Sequence, residues 1–190
     1  RAEAADVCVY GATPGGILSA IAARREGRSV LIVEPSRWVG GMLGAGLKPM
    51  QDCPNYAATG GLTRQLLRTL GNPEWEGDHL KKGTLAKMSP DAVRRDFGRL
   101  LEESGIPVIF EHRIASCARR GATIESAVFD LAPFDALGCP PAQPKACAAL
   151  RVTSRMFIDA SYEGDLMARA GVSWRVGREA ASEFGEEAAG

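Results

Sequence analysis

The stretch VYGATPGGILSAIAARREGRSVLIVEPSRWVGGM, Val9 to Met42, decides the fold. It continues a short apolar run, Asp6 to Gly11 (DVCVYG), that is rich in β-formers and ends at a glycine, the pattern of a buried parallel strand. From Pro14 the hydrophobic period changes. Ile17, Leu18, Ile21 and Ala22 fall on one helical face, Pro14 suits the first turn, and Gly27 is placed to end the helix in a left-handed conformation. Ser29 to Glu34 (SVLIVE) reads as a second buried strand. The three form a βαβ unit whose crossover is right-handed, which leaves its strands parallel.

The turns of this unit carry the chemistry. Gly11, Thr13 and Gly16 occupy the three key positions of a dinucleotide-binding fingerprint, with Thr13 where glycine is usual. The first glycine permits the tight turn and the last lets helix approach strand. The helix start, with Pro14 in its first turn, presents unpaired amides to a pyrophosphate. Thr13 adds a Cβ at the tightest point and is expected to compensate with a hydroxyl hydrogen bond to phosphate, while Gly15 keeps the next turn permissive. Glu34 ends the second strand 18 residues after Gly16. A carboxylate there accepts from both ribose hydroxyls of an adenosine and disfavours a 2′-phosphate. A structural glycine turn and a solvated strand end are the plainer readings of each feature alone; together they point to a dinucleotide.

The residues after Glu34 separate NAD from FAD. A nicotinamide domain continues straight into more βαβ units, whereas Glu34 is followed by PSRWVGGMLGAG, whose adjacent Gly40 and Gly41 call for backbone contact with something lying along them. Next, Leu62, Leu66, Leu67 and Leu70 make a helical stripe with Gly71 as its stop. Ser89 is placed to cap a further helix, with Pro90 in its first turn, Asp91 favourable to the dipole, and Val93, Phe97, Leu100 and Leu101 on the buried face up to Gly105. PVIFEHRI and TIESAVFD read as strands, and Leu131 to Leu150 as an irregular insertion or hairpin tip. RVTSRMFID reads as a strand ending at Ile158 or Asp159, before a helix from about Gly164 that Asp165 is expected to cap.

Hydrophobic residues make up 45% of the 190, enough for one globular core, which argues against disorder. Lys plus Arg equals Asp plus Glu at 23 each, with no basic cluster longer than two residues. Neither nucleic acid nor an anionic membrane is indicated as a partner; a small, mostly uncharged molecule is. No apolar stretch approaches the roughly 18 residues of a membrane span. The five cysteines, Cys8, Cys53, Cys117, Cys139 and Cys147, form no CxxC pair, so no metal site is expected. Cys139 and Cys147 flank CPPAQPKAC, where a local disulfide and two free thiols are both open and the thiols are preferred. Cys8 reads as a small buried hydrophobe. His79 and His112 read as surface residues, and a structural role is preferred for Trp38, Gln51, Asp52 and Cys53, so no catalytic base is assigned.

Three separated segments carry a resemblance: Asp6 to Leu43, Thr59 to Gly71 (TGGLTRQLLRTLG) and Phe157 to Glu179 (FIDASYEGDLMARAGVSWRVGRE). They resemble the FAD-dependent oxidoreductases of the glutathione-reductase-like flavoprotein superfamily, and within it the subgroup with an IDATxxGDL-type segment. The resemblance implies FAD as cofactor, with Gly11, Thr13, Pro14, Gly15 and Gly16 around its pyrophosphate. Glu34 would hold the adenosine ribose, with Pro35 and Ser36 shaping that pocket. Gly40, Gly41 and Met42 would run beside the ribityl chain and flavin, and Arg113 and Ile114 would hold the adenine edge through main-chain groups. Asp159, Ala160 and Ser161 would form a strand end passing close to the cofactor, with Ser161 and Tyr162 where the family has Thr and Gly.

The implied architecture is α/β: a three-layer FAD-binding Rossmann-like domain with a parallel central sheet, built from residues 1–45 and 105–190. Residues 46–104 would be a helical excursion that starts a smaller substrate domain. The implied activity is oxidation of a small organic substrate by hydride transfer to flavin N5. Similar flavoproteins are much longer, so a second chain carrying the C-terminal half is expected to complete a heteromer. A NAD-dependent dehydrogenase and a non-catalytic nucleotide-binding scaffold are the alternatives. The Ala-rich, Met-less opening RAEAAD favours a periplasmic or secreted location over a cytoplasmic one.

Overall fold

Val9 sits at the centre of the sheet, in register with Ile32 on one side and Ile158 on the other, and all three strands run parallel. A computed structural model describes residues 1–46, 59–67, 70, 89–136 and 140–185. Its elements are β1 (Ala2–Tyr10), α1 (Pro14–Arg25), β2 (Val30–Val33), α2 (Gly41–Gly44), α3 (Gly61–Leu67), α4 (Pro90–Glu103), β3 (Val108–Ile109), β4 (His112–Arg120), β5 (Thr123–Leu131), β6 (Lys145–Asp159), α5 (Asp165–Arg169) and α6 (Ala181–Phe184). The six strands form one sheet in the order β3-β2-β1-β6-β5-β4.

The apolar runs of β1 and β2 are buried on both faces, which is why they read as continuous rather than alternating. Successive side chains still point to opposite sides. Val7, Val9, Val30 and Ile32 pack on one face against Ile17, Ala20 and Ile21 of α1 and Val93, Phe97 and Leu101 of α4. Cys8, Tyr10, Leu31 and Val33 pack on the other against Ile114, Ala127 and Phe129 of the β4–β5 leg and Leu166 of α5. The Tyr10 and Phe129 rings lie 5.8 Å apart. Helices α1 and α4 thus cover one face of the sheet, and α5 packs on the other.

The structure departs from the sequence reading in particular places. The sheet is parallel only across β3-β2-β1-β6; β5 and β4 pair antiparallel, because β6 is long enough to join both sets. Lys145 to Leu150, expected in an irregular insertion, are the first residues of β6. PVIFEHRI breaks into β3 and β4 at Glu111, which adopts φ +58. That uncommon conformation for a non-glycine residue is held by its neighbours. The Glu111 amide donates to Ser36 O, its carbonyl accepts from Ala132, and its Oε1 accepts from the Phe134 amide.

Helix α4 packs in the same core as α1. Ser89 takes its N-cap position without a side-chain cap bond. Gly164, at φ +69, caps α5, and Asp165 is the first helical residue instead. Leu66 and Leu70 are buried as the leucine stripe requires. Gly71, Gln51, Asp52, Cys53, His79 and Cys139, and the side chain of Leu67, lie outside the described residues. Cys147 is exposed and unbridged. Among the described residues no helix is long and apolar enough to cross a membrane.

Candidate functional site

The carboxyl ends of β1, β2 and β6 meet at one edge of the sheet, and the turns leaving them are bonded to one another. Gly11, at φ +100, donates its amide to Val33 O at 2.8 Å and turns the chain out of β1. A Cβ on Gly11 would lie 2.9 Å from Ala160 C and Ser161 N, while one on Gly16 would overlap the Gly11 carbonyl oxygen. These two glycines therefore let α1 approach the ends of β1 and β6. Gly15 differs: its nearest neighbour in the same test is Thr13 Oγ1 at 4.0 Å, so it is the glycine that faces open space.

Thr13 is the N-cap of α1, followed by Pro14 in the first turn. Its hydroxyl donates to Ala160 O at 2.9 Å and accepts from the Gly16 amide at 3.2 Å. The hydroxyl expected on phosphate is thus spent on tying α1 to the end of β6. The amides of Thr13 and Gly15 have no hydrogen-bond partner among the described residues. They are the orphan donors that the start of a helix offers to an anion.

Glu34 is only 7% exposed. Its Oε2 accepts from the Ala12 amide and its Oε1 accepts from the Ser36 amide at 2.7 Å. The Ala12 carbonyl in turn accepts from Gly40 at 2.8 Å. The two peptide groups that flank Ala12 are therefore gripped, one by the strand-end acid and the other by the second glycine turn. A carboxylate has about four acceptor positions, so two amides leave capacity for a further donor.

Pro35, Ser36, Tyr10, Arg113, Phe134 and Pro140 line a cavity of about 280 Å³, with Glu163 and Asp165 also on its wall. Arg113 donates to Pro141 O at 3.3 Å, which holds the β5–β6 loop over this space. Ile114 is buried in the core, and its amide donates to the Tyr10 hydroxyl at 3.3 Å, so that main-chain donor, expected at the adenine edge, is already engaged. The Arg37 guanidinium lies 5.6 Å from the Trp38 ring centre and 5.7 Å from that of Phe134.

Gly40 and Gly41 take φ +98 and +51, and Met42 opens toward the loop before α5. The Met42 amide donates to the Tyr162 hydroxyl at 2.9 Å. Asp159 accepts through Oδ1 from the Ser161 amide (3.0 Å) and hydroxyl (2.7 Å), and through Oδ2 from the Met167 amide (2.8 Å). Ser161 Oγ accepts from Gly164 at 3.0 Å. These two residues thus accept amides around the start of α5, and Ala160, whose amide donates to Tyr10 O, joins them to the first glycine turn.

Tyr10 and Phe134 belong to this region and carry no sequence signal for it, whereas Tyr162 is marked only by standing where the resemblance has Gly. Tyr10 is indistinguishable from a core residue within its apolar run, and Phe134 sits in a segment whose prolines suggest only irregularity. The His112 imidazole Nδ1 lies 2.7 Å from Phe110 O, at the start of β4. Burial pushes the Cys8 thiol up to about 12 and raises that of Cys117, so both are poor nucleophiles. Among the described residues no group of three or more His, Cys, Asp or Glu is placed to hold a metal ion.

An α/β sheet whose strand ends carry a glycine cradle, a buried acid and a second glycine turn defines a dinucleotide-binding domain. The residues fit such a group: Gly15 faces open space, and the Thr13 and Gly15 amides lack partners among the described residues. The chain belongs to the FAD dependent oxidoreductase family, whose profile matches residues 6–189, and FAD is its cofactor. No curated protein resembles it closely enough in sequence to count as a relative.

Several solved structures share the fold. A geranylgeranyl bacteriochlorophyll reductase-like protein from Thermoplasma acidophilum is 18% identical with a TM-score of 0.55, over 91% of this chain and 43% of that one. THI4 from Thermovibrio ammonificans is 14% identical at 0.54, over 90% and 64%. A triple mutant of the flavin-dependent brominase Bmp2 is 18% identical at 0.52, over 92% and 43%. The chain thus spans under half the length of the Thermoplasma protein and of the brominase.

Proposed function

We propose that this chain forms the FAD-binding part of an oxidoreductase that oxidises a small organic substrate. The observation that carries the reading is the bonded unit of Glu34, Ala12 and Gly40, which joins both glycine turns and the strand-end acid at one edge of the sheet. The free amides of Thr13 and Gly15, with the positive end of α1 behind them, suit the pyrophosphate. The cavity of Pro35, Ser36 and Arg113 suits the adenosine, whose ribose hydroxyls would donate to the remaining lone pairs of Glu34. Gly40 to Met42 would lie along the ribityl chain, and Asp159 to Ser161 would hold the facing wall.

When bound, FAD supplies a two-electron acceptor that takes a hydride from a substrate C–H at N5. The protein's part is to orient and exclude water. Glu34 fixes the turns through buried, charge-assisted bonds. Phe134, Trp38 and Arg37 shield the adenosine side from solvent. In this reading a second chain carries the C-terminal half and supplies the substrate wall.

Anaerobic mixing of the native protein with small organic C–H donors, followed at the flavin band and paired with intact mass of every chain present, tests this. Bleaching by at least one donor and a stoichiometric second chain are expected. A flavin band that only reduced nicotinamide bleaches overturns the substrate class. A homogeneous single chain that turns over donors unaided overturns the second-chain requirement.

A further inference from the structure

Tyr162 reaches from the loop before α5 to the second glycine turn. Its hydroxyl accepts from the Met42 amide at 2.9 Å. A Cβ built on Gly41 would overlap that hydroxyl and would stand 3.2 Å from the ring, so the tyrosine fills the space that Gly41 leaves open. Yet the side chain is not built into the fold. It is 53% exposed, and among the described residues no aromatic or cationic group stacks on it and the Met42 bond is its side chain's single hydrogen bond. Its neighbours are fixed instead: Ser161 is bonded to Asp159, and Gly164 to Ser161. Tyr162 is thus a loosely held ring on a rigid loop.

We propose that Tyr162 is a displaceable stopper: it occupies the Gly41–Met42 turn in the cofactor-free protein and swings out when FAD is loaded. The inference rests on the reading above that this turn lies along the cofactor. A group whose own hydrogen bond must break before a ligand enters lowers the fraction of competent protein, and apparent affinity falls by that fraction. One neutral hydrogen bond accounts for about a two- to tenfold effect. The side chain is exposed and its displacement needs no backbone change, so the exchange is a rotamer event rather than a domain motion.

The test compares apoprotein with Tyr162→Phe, which keeps the ring and removes the acceptor oxygen. FAD binding is followed by flavin fluorescence, and the Met42, Thr13 and Gly15 amides by NMR. Tyr162→Phe is expected to bind FAD about two- to tenfold tighter and to associate faster. Its Met42 amide should shift in the free protein, and the wild-type Met42 amide should shift on FAD addition. Equal or weaker FAD binding by Tyr162→Phe overturns the stopper, since the hydroxyl then does not compete. Wild-type Thr13 and Gly15 amides that respond to FAD while Met42 does not would leave the cofactor site standing and still overturn it. Failure of both proteins to take up FAD overturns the cofactor placement and the stopper with it.

Discussion

Glu34 accepts the amide of Ala12 across 22 residues of chain, from a side chain almost wholly withdrawn from solvent. The same carboxylate accepts from Ser36, so a single acid holds both the turn after β1 and the turn after β2. An acid read as a ligand group is also a structural clamp, and the two roles make different demands.

Replacing the clamp separates them. Glu34→Gln keeps the shape but sets an amide N–H₂ against one of two backbone donors. Loss of charged hydrogen bonds of this kind costs about 1.5–3 kcal/mol each. The variant should unfold at lower urea concentration with an unchanged slope. A midpoint equal to wild type would mean that the Ala12 and Ser36 bonds contribute nothing.

The two neighbouring glycines should diverge. Gly16→Ala drives a methyl into the Gly11 carbonyl and the Ala160 side chain, and overpacking there should destabilise by about 1–3 kcal/mol. Gly15→Ala meets open space in a helical turn, where stability should hold or rise by a few tenths of a kcal/mol. The same methyl faces the expected pyrophosphate, so FAD affinity should fall although the fold is intact. Thermal melts paired with FAD titrations of both variants check this; a Gly15→Ala protein with wild-type affinity would contradict the cradle.

Thr13→Ala should cost about 1 kcal/mol through loss of the α1 cap, and should also free the Ala160 carbonyl. Because the hydroxyl is already committed within the protein, FAD affinity measured on folded material should change little. A large loss of affinity at unchanged stability would restore the phosphate role that the sequence suggested.

Alkaline pH should weaken the fold by a route that involves no site residue beyond Tyr10. Burial pushes the Cys8 thiol up to about 12 from 9.0, and burial also raises the Tyr10 hydroxyl. The unfolded chain releases these protons first. Stability is therefore complete below about pH 9 and falls as pH climbs toward 12, by at most about 1.4 kcal/mol per unit for each group. Urea midpoints across this range should drop less steeply for Cys8→Ala than for wild type; parallel slopes would contradict the assignment to Cys8.

The sequence and the structure agree where local pattern and burial say the same thing. The run from Val9 to Val33 shows strand, helix and strand because its apolar spacing switches period at Pro14, and no tertiary contact competes with that signal. Glu111 shows the opposite case. Nothing local distinguishes it from a strand residue, and its left-handed turn exists because Ser36, Ala132 and Phe134 bind it from distant parts of the chain. Asp159 and Ser161 were legible as a strand end, but their work on the α5 amides depends on how the chain turns after β6. Tyr162 carried no sequence signal beyond standing where a glycine was expected.

The most direct measurement is the visible absorption spectrum of the purified native protein, before and after addition of FAD. The account predicts a flavin spectrum, with one FAD held per chain at saturation. A colourless protein that takes up no added FAD would contradict it and leave a dinucleotide fold without its ligand.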